Sequence, residues 1–261
     1  CKELFVTAVT TVNRKDYLQD FINDWAKTKS SDIDSVLIVA DDGSTDGTIE
    51  WLSEQLDIGN SRLVIIRNNG LGIARQTNSI IDFISNIDNQ IGAIFMCNDD
   101  IRFLKPGWDE AYHSAMLESG FDHLVYFNSE WKSPSHAHDS PRFDGLFSHC
   151  SAREAMGCFY TLTPRLIESI GFFDEKEFPV RGHSHVDYTI RACRSEANDL
   201  QYLYDLRDSD RFIGMVMRDG YKRTHRTLSV YERKISSSPE ALAKREQVLL
   251  TEGRIFVPRG W

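Results

Sequence analysis

The sequence predicts an α/β fold with a doubly wound, mostly parallel central sheet. Between residues 4 and 100, strand-like apolar runs alternate with helix-spaced apolar stripes four times, the pattern of repeated right-handed crossovers. Two of the runs end in acids: Val39-Ala40 leads into Asp41-Asp42-Gly43-Ser44-Thr45-Asp46-Gly47-Thr48, and Ile94-Phe95-Met96-Cys97 into Asn98-Asp99-Asp100. Ligands of such sheets sit at the carboxyl ends of strands. Two acidic strand ends, far apart in sequence, therefore suggest one anion-and-metal site.

The elements follow in order. Leu4–Thr10 is a β-rich run that ends near Asn13. Leu18, Phe21, Ile22 and Trp25 then recur at helical spacing, with Asp16 placed to cap them. Val36–Ala40 is the second strand, and Thr48–Leu56 a helix with Ile49, Leu52 and Leu56 on one face. Leu63–Ile66 is the third strand. Ile73–Asn86 is a helix striped by Ile73, Thr77, Ile80, Ile81 and Ile84, and Ile91–Cys97 the fourth strand. Beyond residue 100 the pattern loosens. Leu124–Phe127 reads as a strand, and Ser129–Ser151 as a long polar, His-rich functional loop. Pro164–Ile170 is a short helix closed by Gly171, and Val186–Ala197 another helix. Ser238-Pro239 opens a last helix over Glu240–Thr251.

The 261 residues, 41% of them hydrophobic, suffice for one α/β domain. Neither a repeat nor a linker divides them, so residues 1–261 are read as one domain. Within it three stretches are distinguished, 1–100, 101–220 and a helical tail over 221–261. No apolar run approaches the ~18 residues that cross a bilayer, and no signal peptide is visible. A formal charge of −9 argues against a nucleic-acid-binding face, which has to be basic. It leaves open a nucleotide held through a metal. Cys1, Cys97, Cys150, Cys158 and Cys193 are an odd, unpatterned set, read as reduced thiols of a cytoplasmic protein. Because the chain starts at Cys1, it is read as excised from a longer polypeptide, where other domains are possible partners.

Four constellations could carry chemistry. Asp41–Thr48 is either a plain turn before a helix or a strand end where Asp41 accepts a hydrogen bond from a base or ribose. Asn68-Asn69-Gly70-Leu71-Gly72 precedes a helix and permits close backbone approach to a ligand; Arg75 points away from the Ile stripe behind it. Asn98-Asp99-Asp100 gathers oxygen ligands suited to Mg2+ or Mn2+. Gly182-His183-Ser184-His185-Val186-Asp187 opens a helix with two imidazoles and a carboxylate. Either could act as base, metal ligand or orienting group, and His225 belongs to the same class.

In this order the pieces resemble the GT-A-fold glycosyltransferases of family 2. Thr10-Thr11-Val12-Asn13-Arg14 is similar to the family's first strand and its exit, and Asp41–Thr48 matches its Asp-Asp-Gly-Ser-Thr-Asp-Gly-Thr signature. Asn69-Gly70 with Arg75 and Asn78 resembles its Asn-Gly … Ala-Arg-Asn segment, with Gln76 in place of Asn. Asn98-Asp99-Asp100 sits where the family carries Asp-X-Asp. Gly157-Cys158-Phe159 and Gly171-Phe172-Phe173-Asp174-Glu175 are similar to its acceptor-side segment. The resemblance covers residues 4–195.

It implies an inverting enzyme that moves a sugar from a nucleotide-diphosphate donor, a UDP-sugar by family frequency, to a hydroxyl of a glycan acceptor. The setting it suggests is bacterial surface polysaccharide synthesis. It also implies that 1–100 is a nucleotide-sugar-binding half and 101–220 an acceptor-binding half. By position, it implies nucleotide contacts at Thr10, Asn13, Asp41, Asp42, Asn69, Gly70, Arg75, Asn98 and Asp99. It implies Mn2+ or Mg2+ at Asp100 with Asn98, where His183 and His225 are further candidate ligands. Trp131, Gly157 and Cys158 fall on the acceptor side.

Two departures stand out. Asn98 replaces the first acid of the metal motif. The family's Glu-Asp-X-Asp base motif reads Ser184-His185-Val186-Asp187, which puts His185 where the catalytic Asp belongs. Either His185 is the base with Asp187 orienting it, or Asp187 is the base and an imidazole ligates the cation. A dehydrogenase would need GxGxxG after the first strand, and Thr10–Lys15 contains no glycine. The different-class alternative is an inactive domain that binds a sugar nucleotide or glycan without transfer.

Overall fold

The computed structural model describes residues 3–55, 57–58, 61–87, 90–127, 138–139, 142–178, 184–198, 200–216, 240, 243–244, 247 and 255–259. A six-stranded sheet forms its centre, in the order β3-β4-β2-β1-β5-β9. The strands are β1 (Leu4–Thr11), β2 (Asp34–Asp41), β3 (Asp57–Ile58), β4 (Ser61–Arg67), β5 (Ile91–Asn98) and β9 (Phe159–Leu162). β4, β2, β1 and β5 run parallel, and β3 and β9 close the two edges antiparallel. β1 and β2 are buried nearly end to end, as strands covered on both faces must be.

Helices α1 (Lys15–Thr28), α2 (Thr48–Glu54) and α3 (Ile73–Ser85) make the crossovers. The predicted stripes are their buried faces: Leu18, Phe21, Ile22 and Trp25 on α1, and Ile80, Ile81 and Ile84 on α3. Asp16 does not cap α1. It lies in the first turn behind Arg14, where its charge favours the positive end of the helix dipole. Lys15 N–H is met instead by Asp46 Oδ2 at 3.0 Å, so the β2–α2 turn closes the start of α1.

In the second half, β6 (Ile101–Phe103) and α4 (Trp108–Ser119) follow directly on the acidic strand end. β7 (His138–Asp139) and β8 (Phe147–Cys150) come next, then α5 (Pro164–Ile170), α6 (Ser184–Arg194), β10 (Leu203–Leu206) and β11 (Ile213–Met215). β10-β8-β7 and β11-β6 form two small sheets. Leu124–Phe127, expected as a strand, makes only isolated bridges. Val125 N–H donates to the Tyr204 carbonyl at 2.8 Å and Tyr126 N–H to that of Phe159 at 3.0 Å, so the segment staples β10 to β9. The expected loop Ser129–Ser151 ends in β8. The expected helix Val186–Ala197 starts two residues earlier and ends at Arg194. The tail helix over Glu240–Thr251 lies largely outside the described residues.

The chain returns at residues 255–259. Val257 bridges Gly171, with Phe172 N–H on the Val257 carbonyl at 2.8 Å and Val257 N–H on that of Ile170 at 3.1 Å. Arg259 pairs with Asp82 of α3. Among the described residues, no helix is long and apolar enough to cross a membrane.

Candidate active site at the carboxyl edge of the sheet

Parallel register brings the two acidic strand ends level. Thr11 of β1 pairs with Asp41 on one side, and Thr10 pairs with Asn98 on the other. With strands about 4.8 Å apart, Asp41 and Asn98 flank β1 about 10 Å from each other, a span suited to a nucleoside diphosphate.

On the β2 side the loop is held by its own side chains. Asp41 Oδ2 accepts from Gly43 N–H at 3.0 Å and Ser44 N–H at 2.9 Å, while its Oδ1 is buried with no partner among the described residues. Asn13, in the left-handed region at φ 50°, ties β1 to the same loop. Its Oδ1 accepts from Thr45 N–H at 2.7 Å, and its own N–H donates to Ser44 Oγ at 2.8 Å. Asp42 turns the other way: its two oxygens accept from Leu71 N–H at 2.7 Å and Gly72 N–H at 2.9 Å. Its carbonyl takes Gly70 N–H at 3.2 Å. Asp42 thus fixes the Asn69–Gly72 loop, so a direct contact between Asp42 and a nucleotide would compete with those bonds. Gln76 Nε2 donates to the carbonyls of Thr11 and Ala40 at 2.9 and 3.0 Å, a longer amide that caps both strand ends at once. Arg75 is half exposed and lies 3.7 Å from Glu175 Oε1.

Asn68 opens the second constellation, where the sequence assigns it no role of its own. Its N–H donates to the Asp41 carbonyl at 2.7 Å, and its Nδ2 is buried with no partner among the described residues. An unsatisfied acceptor on Asp41 and an unsatisfied donor on Asn68 thus lie on adjoining strand ends, where buried polar atoms normally find partners.

On the β5 side the acids share one arginine. Arg14 Nη1 lies 2.7 Å from Asp99 Oδ1 and its Nη2 3.3 Å from Asp100 Oδ2; Thr11 Oγ1 donates to Asp99 Oδ2 at 2.7 Å. Burial pushes the Asp99 carboxyl up to about 7, against the pull of the Arg14 guanidinium. Asp100 Oδ1 is buried with no partner among the described residues. Next to this pair, burial and the Asp100 charge push the Cys158 thiol up to about 12, which leaves it protonated. Among the described residues, no three His, Cys, Asp or Glu side chains gather into a cation cage. One open carboxylate oxygen nonetheless fits a cation that takes its other ligands from a diphosphate and water, as Mg2+ and Mn2+ do.

The Asp99 shift makes a testable prediction. A carboxyl whose folded pKa is raised favours the native state while protonated, and this contribution is lost as pH rises from about 4 through about 7. The Asp99→Asn variant lacks that titration. Its stability relative to wild type should improve by on the order of 1–3 kcal/mol between pH 5 and pH 8, measured by urea unfolding of the ligand-free protein. A difference independent of pH would refute it.

The third wall is α6. Asn98 N–H donates to the Cys158 carbonyl at 2.8 Å, and Gly157 packs on the imidazole of His185. A Cβ at residue 157 would lie 2.5 Å from His185 Cγ and 2.7 Å from its Cβ, and the backbone there has φ +65°. The structure therefore brings His185 beside the strand ends through glycine.

Residues two apart on a helix do not face each other, and Asp187 Oδ2 is 2.9 Å from Arg191 Nε in a buried ion pair. Arg191 also donates to the carbonyls of Ile170 at 2.6 Å and Phe172 at 2.9 Å. On α6, Tyr188 stacks on Phe173 at 4.2 Å and Thr189 Oγ1 is 3.1 Å from His123 Nε2. His123, which burial lowers to about 4, is a neutral ring that bonds the Thr161 carbonyl of β9 through Nδ1 at 2.9 Å. These contacts fix α6, and so His185, against the sheet. His183, His225 and Trp131 lie outside the described residues.

Residues 7–129 match the model of glycosyl transferase family 2. An uncharacterized glycosyltransferase of Acanthamoeba polyphaga mimivirus is 24% identical over 210 residues, 78% of this chain and 75% of the viral protein. Among solved structures, S. aureus TarS 1–349 in complex with UDP is similar with a TM-score of 0.60 at 16% identity, over 94% of this chain and 64% of that one. Mannosyltransferase PcManGT from Pyrobaculum calidifontis, in complex with GDP-Man and Mn2+, gives 0.55 at 13% identity, over 83% and 58%. At these identities the structural likeness speaks for the fold, and this chain spans less than two thirds of either structure. Over residues 7–129 this chain is thus similar in sequence to glycosyl transferase family 2, and its fold is similar to that of solved glycosyltransferases.

Proposed function

We propose that this protein is an inverting glycosyltransferase that moves a sugar from a nucleotide-diphosphate donor, with UDP favoured, to a glycan hydroxyl. The setting in this proposal is assembly of a bacterial surface polysaccharide in the cytoplasm. One observation carries the donor half: Asp41 Oδ1 and Asn68 Nδ2, on adjoining strand ends, are each buried with no partner among the described residues. An acceptor next to a donor complements an imide, an N–H flanked by a carbonyl. Uracil and thymine offer this edge and guanine a similar one. The UDP of the TarS complex and the GDP-Man of the PcManGT complex agree with this class of base.

In this reading Asp42, Asn13 and Gln76 hold the loops that receive the nucleotide, and Gly70 lets the backbone approach it. Thr10, Asn69, Arg75 and Asn98 line the path between the base and the acid pair. Asp100 with Asn98 would hold Mn2+ or Mg2+, with His183 and His225 as further ligands; when bound, the cation offsets charge developing on the leaving diphosphate. His185, held by Gly157 beside Cys158, removes the proton of the acceptor hydroxyl as it attacks the anomeric carbon from the face opposite the diphosphate. Trp131 contributes to the acceptor side.

The test is release of nucleoside diphosphate from a panel of uridine, thymidine, guanosine, adenosine and cytidine sugars with Mn2+. Turnover is expected with an imide-bearing donor, and His185→Ala should lower it about 10²–10⁴-fold with donor affinity unchanged. Asp41→Asn turns an amide donor toward the imide N–H and should weaken UDP binding about 10–100-fold. Binding of UDP without release from any donor would favour the inactive, donor-binding alternative.

A further inference from the structure

We propose that Arg14 is a resident counter-cation of the acid pair, competing with the divalent cation until a diphosphate draws it away. This rests on the metal-assisted reading above and assigns the order in which that site fills. The guanidinium spans both acids, at 2.7 Å to Asp99 and 3.3 Å to Asp100, and its face lies on the Tyr17 ring, 4.2 Å from the centroid. A second arginine nearby is committed elsewhere. Arg102 lies 3.3 Å from Asp20 and 3.8 Å from Asp24, and donates to the Asp99 and Ile101 carbonyls at 3.1 and 2.7 Å. Arg102 adds a weaker pull on Asp99, while the guanidinium that bridges both strand-end carboxylates is that of Arg14.

A divalent cation on Asp100 Oδ1 would sit within a few residue widths of that guanidinium, in a region where burial weakens screening, and the two would repel. The fork of an arginine also matches a diphosphate, whose oxygens it can grip bidentately. Arrival of the nucleotide gives Arg14 a new anionic partner and frees the acid pair for the metal. The cation and the nucleotide then bind with positive coupling, and by linkage each tightens the other by one common factor. Arg14 is a positioning residue in this scheme; it sets charge and order rather than making or breaking a bond.

The experiment measures Mn2+ affinity of the full chain by electron paramagnetic resonance of the free ion, without and with saturating UDP. Wild type is expected to bind Mn2+ weakly alone and at least about tenfold more tightly with UDP. Arg14→Gln should tighten Mn2+ alone by about tenfold and shrink the gain from UDP. Should that variant fail to fold, Arg14→Met, which keeps an unbranched side chain without the charge, is expected to give the same tenfold gain. If wild type gains with UDP but neither variant tightens Mn2+ alone, the role of Arg14 is overturned while the donor-site reading stands. If wild type takes up no Mn2+ even with UDP, the metal-assisted reading fails and this proposal with it.

Discussion

Asp187→Ala is expected to destabilise the protein by about 3–5 kcal/mol, the largest single-residue effect in the α6 region, because it strands a charge inside the protein. The Arg191 guanidinium is almost fully buried, and its Nε partner is the carboxylate removed. The two carbonyls it also meets, Ile170 and Phe172, cannot neutralise it. Replacing both partners together, as Asp187→Ala with Arg191→Met, should recover much of the loss, since no unpaired charge remains. Urea unfolding of the single and double variants checks this. The same pair separates the two mechanistic readings of Ser184–Asp187. If Asp187 only anchors α6, variants assayed where they remain folded should keep turnover within about tenfold of wild type; a base would lose 10²–10⁴-fold.

Gly157→Ala should depress turnover about 100-fold with little change in donor affinity. The added methyl needs the space filled by His185 Cγ and Cβ, and the backbone at φ +65° is one an alanine adopts at a cost of roughly 1–2 kcal/mol. A displacement of even 1 Å at a reacting group can cost about 10²-fold. The comparison to make is a double-mutant cycle with His185→Ala under the transfer assay. If glycine acts through the imidazole, the losses will not add: once His185 is gone, Gly157→Ala will cost little further turnover. Full additivity would show that Gly157 matters for some other reason.

Much of this architecture is written in local pattern. The four parallel strands and the helices between them each carry a period that a short window reveals, which is why Leu18–Trp25 and Ile80–Ile84 were legible. Helix α4 was equally readable in principle: Trp108, Tyr112, Ala115 and Met116 form a helical stripe closed by Gly120, but exposed Leu117 blurs it. β3, β6, β7 and β11 were not readable, being two or three residues long and defined by partners distant in sequence. Leu124–Phe127 shows the converse, β-rich residues whose backbone bonds go to two different sheets.

In the site, the acids at both strand ends announced themselves by composition. Their division of labour did not, because it depends on which loop amides each carboxylate meets. Asp41 keeps one oxygen open while Asp42 spends both on Leu71 and Gly72. Asn68 was overlooked for the same reason, since only the β2–β4 register brings its amide beside Asp41. The pairing of Asp187 with Arg191 had a sequence signal, acid and base four apart on a helix. The imidazole two residues earlier drew attention away from it.

The side chain of Asn78 has a consequence for how this protein can be taken apart. Its carboxamide imitates a peptide group: Oδ1 accepts from Phe173 N–H at 2.8 Å while Nδ2 donates to the Phe173 carbonyl at 2.9 Å. A helix of residues 1–100 is thereby stitched to the stretch that follows residue 100, and β9 extends the same sheet beyond β5. Chimeras that exchange everything after residue 100 between relatives would cut both seams, parting β9 from β5 and Phe173 from Asn78. The transplantable unit is the stretch after residue 100 together with the face of α3 that holds it, so the two stretches cannot be recombined at the boundary that chain order suggests.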